Sequence, residues 1–113
     1  MSKKRLVCLA GVLLSALLLA GCPPTLKISQ IQKDPGKYVN KDIAVHGKVT
    51  RAFGAMGMGI FQIDDGTGQM WVLSEQFGVP GEGTTTTVAG QLVQTATFAG
   101  KSYSNVLRET RKR

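Results

Sequence analysis

The sequence predicts a small all-β barrel of five strands, and three observations carry that prediction. Two alternating runs, Ile60–Asp64 and Gln69–Ser74, flank an Asp65-Gly66-Thr67-Gly68 turn, which is a strong hairpin signal. Val45-His46-Gly47-Lys48-Val49 and Val88-Ala89-Gly90-Gln91-Leu92 repeat an apolar-x-Gly-x-apolar pattern, as suits two long strands each bent at a glycine. Strand signals recur at short spacing with little helix between them, which makes the class all-β.

The chain opens with Lys3, Lys4 and Arg5, followed by an apolar run from Leu6 to Ala20. Positive charge, a short apolar stretch and then small residues read as a secretory signal peptide. The run is 15 residues long, short of the ~20 that a helix needs to span the hydrocarbon core. Leu19-Ala20-Gly21-Cys22 resembles the lipobox of bacterial lipoproteins. That resemblance implies cleavage after residue 21, with Cys22 as the first mature residue and the site of acylation. It further implies a bacterial membrane address, the domain facing the periplasm or exterior, with inner or outer membrane left open. Stable anchoring takes more than one acyl chain.

Cleavage removes Cys8 with the leader, and acylation occupies Cys22, so no thiol remains for a disulfide, a redox pair or a nucleophile. The remaining 92 residues suffice for one small domain with one core. Removing Lys3, Lys4 and Arg5 lowers the net charge from +7 to +4, and Arg108, Arg111, Lys112 and Arg113 concentrate the basic excess near the C-terminus. Such a tail can favour anionic partners, although a solvated tail that aids solubility explains it equally simply.

Pro23-Pro24-Thr25 reads as a stiff spacer that holds the domain within ~20 Å of the membrane. Ile28–Lys33 reads as a short helix, ended by Asp34-Pro35-Gly36, and Asn40-Lys41 as a turn. Asp42–Arg51 is the first strand, with Ile43, Val45, Gly47 and Val49 on one face and Ala44, His46 and Lys48 on the other. Phe53–Gly59 reads as a flexible loop with unusual apolar side chains. Glu75–Gly83 is too rich in Gly and Pro for a stable helix. Thr84–Thr97 and Ser102–Thr110 are the last two strands, joined by Ala99-Gly100, with Thr84–Thr87 a candidate edge strand. The expected division is a leader 1–21, an anchor and spacer 22–27, a barrel 28–110 and a basic tail 111–113.

Val45-x-Gly47-x-Val49, Phe61-x-Ile63-Asp64-Asp65-Gly66-Thr67-Gly68 and Val88-x-Gly90 together resemble the OB-fold, most closely its nucleic-acid-binding type. The resemblance spans about residues 40–110 and implies a five-stranded Greek-key barrel with ligands on the outer face of its second and third strands. The family's usual helix between strands three and four is missing, and Ile28–Lys33 is expected to close that opening. Alternation then points Phe61, Ile63, Met70 and Val72 inward and Ile60, Gln62, Trp71 and Leu73 outward, provided no one-residue slip reverses the faces. Trp71 is the candidate stacking platform, with Phe53 nearby and Lys48, Arg51 and Lys101 as candidate phosphate contacts. A covered Trp71 is the plainer alternative.

Soft-metal chemistry is the second candidate. His46 with Met56 and Met58 resembles the Cu(I) site of small periplasmic copper chaperones, with Phe53 where a Trp is usual. Flexible packing by the methionines and a solvent-facing histidine is the plainer reading. No catalytic constellation is legible: there is one His, no available Cys and no nucleophile elbow. Asp64 and Asp65 are placed to support a turn, and they lack the spaced ligands of a calcium cage. The sequence therefore reads as a non-catalytic binding or accessory module without a cofactor. An envelope protein contacting Phe53, Met56 and Met58 is the partner that asks for least special chemistry. Nucleic acid suits the fold but not the address.

Overall fold

The computed structural model describes residues 23–113. The expected leader, Cys8 and the expected lipidation site Cys22 lie outside the described residues.

The alternating runs become five strands: β1 (Asp42–Ala55), β2 (Met58–Asp64), β3 (Gln69–Ser74), β4 (Thr85–Phe98) and β5 (Lys101–Glu109). Among the described residues, one helix, α1 (Ile28–Lys33), and a single 3-10 turn, Pro35–Lys37, precede them. The strand order is β1-β2-β3-β5-β4, and β4 pairs back onto β1, so the sheet closes into a ring. Neighbours are antiparallel except β3 and β5, which meet in parallel at Val72–Leu107 and Leu73–Arg108. Closure corrects one expectation. Thr85, Thr86 and Thr87 pair with Lys48, Gly47 and His46, so this run is not an edge.

The core is the inward face of the ring. Ile43, Val45, Val49, Phe61, Ile63, Met70, Val72, Val88, Leu92 and Leu107 form it together with Ile28 and Ile31 of α1. The expected inward set of the central hairpin therefore holds, whereas Ile60 and Leu73 of the expected outward set are covered and buried as well. The two glycines of the repeated pattern mark close approaches, because a Cβ on Gly47 would meet the backbone of Asp64 and one on Gly90 the backbone of Arg108. A side chain at either place would force the strands apart.

β1 is longer than its sequence suggests. The segment Phe53–Gly59, expected to be a loop, is instead the end of β1, a two-residue turn at Met56-Gly57 and the start of β2. Both turn residues have positive φ, 56° and 81°, which suits the right-handed twist of a tight hairpin. Between Val49 and Arg51 the register slips by one residue, so Thr50 is a bulge opposite β2. Its hydroxyl donates to the Gln62 side-chain oxygen at 3.2 Å. Past the bulge, Ala52 rather than Arg51 or Phe53 packs on the core, and parity has switched.

The ring is sealed by segments outside the strands. α1 lies beside the β2–β3 turn, with Ile28 and Ile31 fully buried. Beside the β1–β2 turn, Val79 of the β3–β4 loop lies against the paired Gly54 and Gly59. Arg113 completes this second seal. It pairs with the buried Glu109 at 2.6 Å, donates to the carbonyls of Phe77 and Gly78, and stands 5.4 Å from the centre of the Phe61 ring. The tail expected to be a solvated appendage is thus tied into the fold at its last residue. Burial pushes the Glu109 carboxyl above its ordinary value, and the Arg113 charge opposes that shift without cancelling it.

Candidate functional site

The bulge at Thr50 decides which side chains of β1 reach the outer face. Register across β1, β2 and β3 sets Arg51, Gln62 and Trp71 in one row and Phe53, Ile60 and Leu73 in the next. Without the inserted residue, Arg51 and Phe53 would share the face of Val49 and enter the core. The β4–β5 hairpin, which turns at Ala99-Gly100, brings Phe98, Lys101 and Tyr103 against the same region.

Arg51, Phe53, Trp71, Phe98, Ala99, Lys101 and Tyr103 line an open groove of about 350 Å³. Trp71 and Tyr103 stand with ring centres 5.1 Å apart and planes tilted by 57°, within the range of favourable aromatic pairs. The Lys101 ammonium lies 5.5 Å from the Tyr103 ring centre, close enough for cation–π attraction. Phe53 is 54% exposed and continues the apolar lining of the groove, where contiguity rather than single exposure marks a contact surface. No acidic residue is among the described residues lining the groove. Its chemistry is therefore flat apolar faces with two fixed positive charges.

Of the residues singled out from sequence, Arg51, Phe53, Trp71 and Lys101 meet in this groove. Lys48 does not line it, and is an exposed residue opposite Asp64 and Thr85. Phe98 and Tyr103 were missed. Their membership depends on ring closure, which carries no local sequence signal, although an aromatic beside the Ala99-Gly100 turn was a usable hint.

The copper candidates are not brought together. His46 and Met56 are ten residues apart along β1 and into its turn, a path of up to roughly 30 Å at strand rise. The His46 Nδ1 already shares a 2.7 Å hydrogen bond with the Thr87 hydroxyl. Met56 is fully exposed at the turn and Met58 is partly exposed beside it. Two thioethers at the tip have no imidazole near them.

Asp64 and Asp65 serve the turn, and Asp65 does more. Its Oδ1 accepts from the Thr67 hydroxyl at 2.6 Å and from the amides of Thr67 and Gly68, while Oδ2 accepts from the Ile28 amide at 2.8 Å. Thr67 Oγ1 accepts from the Ser29 amide. Lys27, the residue before α1, offers no side-chain cap, so the turn caps the helix in its place. Burial alone would raise the Asp65 carboxyl, but these hydrogen bonds outweigh it and hold it below the ordinary aspartate value.

No known family model matches the chain, and a search of curated proteins finds no match.

Proposed function

We propose that this chain is a lipid-anchored protein of the bacterial envelope, whose OB-fold barrel is a non-catalytic binding module for an anionic ligand with stackable rings. The observation that carries the reading is the convergence of Phe53, Trp71, Phe98 and Tyr103 with Arg51 and Lys101 in one open groove. Stacking on such faces is worth about 1–3 kcal/mol per base, and paired cations fix the backbone of a charged strand. The strand order and the close approaches at Gly47 and Gly90 support the OB-fold reading. The lipobox-like Leu19-Ala20-Gly21-Cys22 supports the anchor.

Trp71 is the only tryptophan and reports directly on the groove. Titration with a single-stranded oligonucleotide and with an acidic oligosaccharide should change its fluorescence, with an affinity that falls as salt rises. Flat titrations with both anions would sink the reading. A second reading, a protein partner at the β1–β2 tip, draws on the exposure of Phe53, Met56 and Met58. Its mark would be a partner lost on Met56→Glu but kept on Trp71→Ala.

A further inference from the structure

The segment that precedes α1 is docked rather than free. Pro24 O accepts from the Ala44 amide and the Leu26 amide donates to Ala44 O, both at 2.9 Å. Thr25 forms a parallel bridge to Ala44. The reach expected of a spacer is therefore mostly spent on β1. Cys22 is joined to Pro24 through Pro23 alone, two Cα steps or about 8 Å. Parallel register from Thr25 and Ala44 places Pro23 alongside Asp42, and Lys41 next to the point where the chain leaves the barrel.

This part of the molecule carries Lys27, Lys33, Lys37 and Lys41, all exposed. Within residues 27–42 the acids are Asp34 and Asp42, a surplus of two positive charges along this segment, while Asp64 and Asp65 of the adjoining β2–β3 turn are engaged by the Gly66, Thr67, Gly68 and Ile28 amides. Asp42 is engaged by the Gln91 side chain at 3.3 Å. Among the described residues none of the four lysines is in an ion pair. Lys37 leans over the Tyr38 ring, 5.7 Å from its centre. The four cations thus belong to the described segments nearest the anchor in sequence, apart from the groove lysine Lys101.

We propose that these four lysines rest on the bilayer and bind anionic lipid headgroups, an inference that builds on the acylation of Cys22. The short link leaves the barrel no room to stand off, and each Lys near an anionic surface adds about a fivefold preference. The acyl chains then supply attachment, and the lysines supply orientation.

The test uses the chain from residue 22 with Cys22→Ser, which retains every strand, α1 and the whole described core. It should sediment with phosphatidylglycerol vesicles at low salt, remain free with phosphatidylcholine vesicles, and be released at about 0.5 M salt, where screening is short-ranged. Each Lys→Gln at positions 27, 33, 37 and 41 should weaken binding about fivefold, and the quadruple variant should not bind measurably. Lys101→Gln in the groove should leave binding within twofold. Equal binding to neutral vesicles, no binding to anionic ones, or a quadruple variant that binds like the parent would overturn the proposal. Mass spectrometry of the full chain recovered from bacterial membranes reads the anchor separately. A missing acyl mass would overturn the anchor while the vesicle result still judged the lysine face.

Discussion

β2 belongs to two hairpins, and its two turns are built by different means. The β2–β3 turn spends its side chains inward: Asp64 and Asp65 accept from Gly66, Thr67 and Gly68, and Asp65 and Thr67 also hold the first amides of α1. The β1–β2 turn, at Met56-Gly57, uses backbone conformation and one backbone bond, from the Gly78 amide to the Gly57 carbonyl, and leaves the Met56 side chain in solvent. One turn organises the fold, and the other carries exposed groups beside the groove. The contrast teaches that a conspicuous motif marks structure where its polar atoms are all engaged, and function where its groups are left unspent.

Five variants press on that contrast. Asp65→Ala should have the largest effect, about 3 kcal/mol from a lost helix cap and several bonds to a charged acceptor, read as a shifted urea midpoint. A loss under about 1 kcal/mol would mean that the turn does not hold α1. Trp71→Ala should weaken oligonucleotide binding by about 1–3 kcal/mol, a change of about five- to 150-fold. The same variant should keep a near-parental urea midpoint, which separates groove from core.

Acid titration addresses the same turn more gently. Because Asp65 is harder to protonate folded than unfolded, its stabilisation is present above the ordinary aspartate value and drains away as pH falls through and below it. Asp65→Asn should flatten that acid limb in a plot of Tm against pH. Glu109 has the opposite sign: its carboxyl is raised, so its contribution declines as pH climbs from the ordinary glutamate value. Glu109→Gln should remove that decline. Met56→Ser should do least, changing stability by no more than about 0.5 kcal/mol, since the side chain touches little.

Much of the frame was legible in the residues. α1 starts and stops as Ile28, Ile31 and Asp34-Pro35-Gly36 indicate, and the strict alternation of Phe61, Ile63, Met70 and Val72 set the inward face correctly. Composition misled where glycines disguised a strand, since Gly54, Gly57 and Gly59 made the end of β1 look like a loop. The bulge at Thr50 has no residue-type signature, yet it alone sends Arg51 and Phe53 outward. Tyr103 and Phe98 join Trp71 through the closed ring, a relation between distant segments that no local window contains. Arg113 looked like a solvated charge because its partners, Glu109 and the carbonyls of Phe77 and Gly78, assemble only in the fold.

The bond from Ile28 to Asp65 spans 37 positions, and this has a consequence for the order of events in folding. A helix of six residues is too short to persist unaided. α1, the first element among the described residues, therefore depends on the β2–β3 turn for its first amides. A chain delivered N-terminus first exposes Ile28 and Ile31 throughout the time needed to supply β1 and β2.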